Sequence, residues 1–129
     1  MVSPEHRPSL VGRCAEEIAA QWLRMAGLQV LDRNRRAAGG EVDLVARDGP
    51  TLVFVEVRAR REGAWVGGAA SIDRRKWDRL RGCIRTLARE PGFRWSGRRI
   101  RIDAVLIEHG GAGLSLRHLR NLQGPASGR

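Results

Sequence analysis

The stretch Glu41-Val42-Asp43-Leu44-Val45, a corner at Asp48-Gly49-Pro50 and then Leu52-Val53-Phe54-Val55-Glu56-Val57-Arg58 decides how this chain is read. Two apolar, β-branched runs around such a corner predict a β-hairpin, yet each run carries a carboxylate in its interior. Strand side chains alternate between faces, so Glu41, Asp43 and Val45 share one face of the first run and Phe54, Glu56 and Arg58 one face of the second. With residues 48–51 as a four-residue loop, Arg47 pairs with Leu52 and Asp43 falls opposite Glu56. With a two-residue turn at Asp48-Gly49, Asp43 faces Phe54 and the acids remain diagonal neighbours. Like charges facing each other weaken a ladder by about the 0.2–1 kcal/mol that favourable pairs contribute. In either register the acids call for something positive between them.

Working outward, residues 11–27 place Ala15, Ile18, Ala19, Trp22, Leu23 and Ala26 at helical spacing, with Gly27 as the stop. On that wheel Glu17 points to solvent, whereas Glu16 lies at the edge of the apolar stripe, on the flank of Gly12 and Leu23, within reach of a sheet. Residues 28–33 predict a short strand and 37–40 a tight connection into the hairpin. A basic, Gly-rich loop over 59–70 follows. Ser71 then caps a second helix to about Glu90, with Ile72, Leu80, Ile84, Leu87 and Ala88 inward and Pro91-Gly92 as the stop. Residues 100–107 form a fourth strand and 114–119 a fifth, at an edge. The expected fold is α/β (α+β), a mixed sheet of three to five strands flanked by helices.

The chain has 129 residues, enough for one domain, expected over 10–120 with flexible ends at 1–9 and 121–129. No run approaches the ~18 apolar residues of a membrane span, and residues 1–10 hold no apolar signal core, so a soluble cytoplasmic protein is expected. Cys14 and Cys83 sit apart in helical patterns, which favours free thiols over a disulfide. The net charge of +10 favours a polyanionic partner, although all but one of the 24 basic residues are Arg, as base composition alone can produce. The Trp and Phe residues are scattered, with no base-stacking motif.

Asp43, Glu56 and Glu16 offer hard oxygen donors of the kind that hold Mg²⁺ or Mn²⁺ with open water positions. A cation there would offset the like charges, lower the pKa of a bound water and stabilise charge developing on a phosphoryl group, which is the chemistry of phosphodiester hydrolysis.

The pattern Gly12-x-x-x-Glu16-x-x-Ala19, Asn34-x-Arg36, Gly40-Glu41-Val42-Asp43-Leu44-Val45, Phe54-Val55-Glu56-Val57-Arg58-x-Arg60, Lys76 and Arg101-Ile102-Asp103-Ala104-Val105 resembles the YraN-type family of small bacterial proteins. The resemblance spans roughly residues 10–120. It implies a restriction-endonuclease-like αβββαβ core with a PD-(D/E)xK-type motif, similar in arrangement to archaeal Holliday-junction resolvases. It places Glu16 as the first-helix acid, Asp43 as the motif's Asp, Glu56 as its second acid, Val57 as a coordinating carbonyl and Arg58 at the motif lysine. The implied activity is a metal-dependent DNA endonuclease or junction-resolving enzyme in DNA repair, dimeric because two strands are cut, with branched DNA as substrate; a single short domain also leaves room for a recruiting protein partner. Arg58 departs from the motif: it supplies charge, but a guanidinium stays protonated in proteins and cannot act as a base.

Lys76, the single lysine, falls on the inward sector of the second helix in its first turn. It either projects towards the acids and replaces the motif lysine or, preferably, snorkels at the helix end. Glu41 is a further ligand or, preferably, the ion-pair partner of Arg58. Asp103 reads as a hydrogen-bonded structural acid rather than a catalytic one. His6, His109 and His118 lack ligand spacing, and Trp65 and Trp77 read as packing residues before base-stacking platforms. Arg60, Arg61, Arg74, Arg75, Arg79 and Arg81 are the expected phosphate contacts, ordinary solvated arginines being the alternative. Beside the nuclease stand two other readings, a nucleic-acid-binding module without turnover and a structural domain in which the acids form only an ion network.

Overall fold

A computed structural model describes residues 10–63, 72–93 and 99–125. The elements are α1 (Leu10–Met25), β1 (Gln29–Ala37), β2 (Gly40–Asp48), β3 (Thr51–Arg61), α2 (Arg74–Leu87), β4 (Arg99–Gly110) and β5 (Gly113–Leu119), with a 3₁₀ turn at Pro91–Phe93. This is the αβββαβ order with the fifth strand added at the edge. The strands lie side by side in sequence order in one mixed sheet. β1–β2–β3 is an antiparallel meander and β4–β5 a hairpin, but β3 and β4 run parallel. A parallel neighbour requires a crossover, and α2 lies within it.

The hairpin corner is tighter than a four-residue loop. Arg47 pairs with Leu52 as that loop requires, but Asp48 also pairs with Thr51, leaving Gly49 (φ 57°) and Pro50 as the turn. The alternative register, with Asp43 opposite Phe54, is not the one formed. Between β1 and β2 the turn is Ala38 and Gly39, both at positive φ (50° and 76°), as a two-residue hairpin loop demands.

The two helices cover opposite faces. α2 packs Trp77, Leu80, Cys83, Ile84 and Leu87 against Val42, Val45, Leu52 and Phe54. α1 packs Ala15, Ala19, Ala20 and Leu23 against Leu44, Ala46, Val53, Val55, Val105 and Ile107. Every apolar residue expected inward on α2 is buried. α1 is rotated from its expected orientation: Ala20 is fully buried and Trp22 is 39% exposed. Its small alanines allow a close approach to the sheet, and that packing overrides the weight that Ile18 and Trp22 carry on a wheel. The rotation turns Glu16 inward, to 8% exposure.

Other expectations shift at their edges. β1 continues to Ala37 rather than ending at residue 33, and β3 runs through Arg61 into the expected loop, because parallel pairing with β4 continues as far as Arg61 opposite His109. The cap of α2 is Asp73, whose carboxylate accepts from the Lys76 N–H at 2.8 Å. Ser71 and Trp65 lie outside the described residues, and α2 ends at Leu87 instead of about Glu90. Residues 121–125, expected as part of a flexible tail, are tied to the body. Leu122 N–H donates to Ile102 O at 2.7 Å, and Gly124 lies against the Trp77 ring so closely that a Cβ would sit 2.2 Å from Nε1. Both cysteines are free thiols, Cys83 buried and Cys14 exposed. Among the described residues no helix is long and apolar enough to cross a membrane.

Gly40 sets the distance between the β1–β2 corner and α2. A Cβ there would lie 2.2 Å from the Arg79 carbonyl oxygen and 3.0 Å from Cys83 Cβ. Backbone cannot yield as a side-chain tip does, so Gly40→Ala is expected to cost about 1–3 kcal/mol by pushing the helix off the sheet. Urea unfolding followed by circular dichroism reads this directly.

Candidate functional site

The candidate site forms where β2 and β3 part. Their ladder ends at Leu44 opposite Val55; beyond it, residues 40–42 pair with β1 and residues 56–61 with β4. Alternation also fails here, since Val42 and Val45 pack on the α2 face while Leu44 packs on the α1 face. Such an irregularity re-aims a side chain. Asp43 turns into the gap, and its Oδ2 accepts the Val57 N–H at 2.7 Å. The amide of Val57 thus holds the acid, while its carbonyl is the group to which the resemblance assigns a coordinating role.

Glu56 continues the β3 register to the position across from Asp43 and is 8% exposed. Its partner is Lys76, whose Nζ lies 2.7 Å from Oε1. Of the two alternatives for this lysine, the structure has the one in which it reaches the acids. Glu16 enters from α1 and is held by the side chain of Asn34. Asn34 adopts φ 50°, a conformation that asparagine tolerates better than most residues. Sequence reasoning quoted Asn34 without giving it a role. The signal was a turn-forming residue directly after the strand expected over 28–33.

Glu41 does not make the expected pair with Arg58. Its carboxylate binds Arg36 Nη2 at 2.8 Å, because Arg36 is directly opposite it on β1.

The electrostatics follow from this crowding. Burial and then the Glu56 charge push Asp43 up to about 8, against the lowering effect of the Val57 N–H. Burial also raises Glu16, with Glu41 and Glu56 adding to the shift and the Asn34 hydrogen bond opposing it.

Two polar cavities flank the site. One, of about 460 Å³, is bordered by Arg36, Glu41, Asp43, Glu56, Lys76 and Arg79; the other, of about 300 Å³, by Gly12, Glu16, Glu56, Arg58, Arg60 and Lys76. Glu56, Val57 and Lys76 border both, so the ion pair is their common wall. As the chain stands, no three His, Cys, Asp or Glu side chains among the described residues converge closely enough to hold a metal. The donor chemistry nevertheless suits a hard divalent cation: Asp43 and Glu56 border one cavity, and the repulsion between them is what such a charge relieves.

Of the other basic candidates, Arg79 and Arg60 border the cavities, and Arg60, Arg61, Arg74, Arg75, Arg79 and Arg81 are all exposed. Trp77 is buried in the core, as a packing residue should be. Asp103 is fully buried and accepts from Arg101 (2.9 and 3.0 Å), the Asn121 N–H (2.9 Å) and His118 (2.8 Å). It is the structural acid expected from the sequence. His118 Nδ1 in turn accepts from Trp22 Nε1 at 3.2 Å, which explains why that indole stays at the surface of α1.

A two-helix, five-strand α+β domain with acids gathered at a strand divergence is the class that the fold and site define. The chain belongs to the family described as uncharacterised protein family UPF0102, whose model matches residues 15–107 and so includes every acid of the site. It is 43% identical over 120 residues to a UPF0102 protein of Pseudomonas entomophila, covering 92% of this chain and 96% of that one. A UPF0102 protein of Methylococcus capsulatus is 41% identical over 123 residues, covering 93% and 94%, and one of Pseudomonas aeruginosa is 45% identical over 97 residues, covering 75% and 77%.

Proposed function

We propose that this protein is a metal-dependent phosphodiesterase acting on DNA, with branched structures as the first substrates to test. The observation that carries the reading is that Asp43 and Glu56, from β2 and β3, border one cavity at the gap between the two strands beside the single lysine, while Glu16 of α1 borders the next cavity with Glu56. A bound Mg²⁺ or Mn²⁺ would supply Lewis-acid stabilisation of the phosphoryl oxygens and a more acidic water. Asp43 and Glu56 would hold the ion, with Glu16 on its α1 side. Arg58 contributes positive charge near the phosphate, and Lys76 is the side chain that can supply the ammonium missing from the motif position. The exposed Arg60, Arg61, Arg74, Arg75, Arg79 and Arg81 would position the backbone of the nucleic acid.

The expected result is Mn²⁺-dependent cleavage of branched or flapped DNA that falls at least about 100-fold in Asp43→Ala and in Glu56→Ala. A gel assay on labelled junctions measures it, and cleavage that persists in both variants would sink the reading. The Lys76–Glu56 pair favours a second reading, a nucleic-acid-binding module whose acid is permanently neutralised. That protein would bind DNA with strong salt dependence, would be indifferent to chelators and would cut nothing.

A further inference from the structure

We propose that Lys76 is a built-in counter-ion that a divalent cation must displace from Glu56, an inference that rests on the metal-dependent reading. Glu56 is nearly buried and needs a positive partner, whereas the Lys76 side chain is 41% exposed and free to swing on its stem. The pair is the wall between the two cavities, with Asp43 on one side and Glu16 on the other. Moving the ammonium aside would free the Glu56 carboxylate beside Asp43 for an ion, with Glu16 on the far side of the same wall.

The choice of residue supports displacement over a fixed bridge. In a chain whose other 23 cationic side chains are Arg, this position carries the monodentate point charge instead of the bidentate fork. Its location is also unfavourable for a cation. The first turn of α2 reads Arg74-Arg75-Lys76 with no acid, at the positive end of the helix dipole. The helix end therefore does not favour the ammonium, and what holds it in place is the ion pair with Glu56. Once released, the ammonium stands beside a cavity bordered by Arg36 and Arg79, facing the place where a phosphate would lie.

Titration calorimetry of the full chain with MnCl₂ tests this without any substrate. Lys76→Met keeps the stem and removes the charge, so it should bind Mn²⁺ about five- to tenfold more tightly than the native chain. Lys76→Arg should move the other way, because a fork holds Glu56 more firmly. Equal affinity in all three proteins, or weaker binding by Lys76→Met, would overturn the displacement idea while leaving the metal site intact. Binding by none of them would overturn both this inference and the function it rests on.

Discussion

Replacing Asp103 with alanine is expected to destabilise the fold by about 3–5 kcal/mol, because it leaves buried positive and donor groups without their acceptor. Arg101 would lose two hydrogen bonds and keep only Asp48 at 3.0 Å. His118 and the Asn121 N–H would lose their partner in the same step. These groups belong to β4, β5 and the segment after it, while His118 also carries the contact to Trp22 of α1. The deletion therefore loosens one helix and the sheet edge together. Burial alone would raise this carboxyl, but the hydrogen bonds from His118, Arg101 and Asn121 outweigh it and hold Asp103 below the usual range. A depressed carboxyl stabilises the fold above its unfolded pKa near 4 and loses that contribution as the pH falls through its folded value. Urea midpoints at pH 7 should thus drop sharply in Asp103→Ala, and the gap from the native protein should narrow in acid. A loss under 1 kcal/mol at pH 7 would show the network to be dispensable.

How much of this was readable beforehand depended on the range of the interaction. Turn chemistry and alternation are local, so the hairpin and the element order followed from residues a few positions apart, whereas the hairpin's register stayed open between two alternatives. The inward face of α2 was equally legible, since its apolar residues are large and regularly spaced. α1 was harder. Its contact surface is built from alanines, which barely register against Trp22 on a wheel, and the indole is drawn to the surface by His118, 96 residues away. The acids were visible as anomalies in apolar strands, whereas their partners were set by tertiary geometry. Glu41 was claimed by Arg36 because β1 extends four residues further than its composition suggests, through an Asn34 in left-handed conformation. Lys76 was placed in the first turn from the apolar pattern of the second helix, but only the packing of α2 on β2 shows that its amine reaches Glu56.

The sign of the Asp43→Asn effect separates a metal site from an internal ion network. Asparagine can still accept the Val57 N–H through its side-chain carbonyl, so the hydrogen bond at 2.7 Å survives while the charge is lost. In the native protein this carboxyl is pushed up to about 8 by burial and by Glu56. Its unfolded pKa is about 4, so between pH 4 and 8 the folded chain holds a proton that the unfolded chain has released. Stability must then fall as the pH rises through that window, by up to about 1.4 kcal/mol per unit, and level off once both states are ionised. Asp43→Asn removes the titration. At pH 8 and without metal it should be more stable than the native protein by about 2–4 kcal/mol, the half-buried site retaining enough water to keep the effect below the full shift. At pH 4 the two should converge. Mn²⁺ should raise the native melting temperature and leave the variant unmoved, because a ligand stabilises only the state that binds it. If Asp43 instead served an ion network, the variant would lose about 3–5 kcal/mol at pH 8 and metal would change nothing. Four melting curves, native and Asp43→Asn with and without Mn²⁺ at pH 8, distinguish an acid cluster kept for a cation from one kept for the fold.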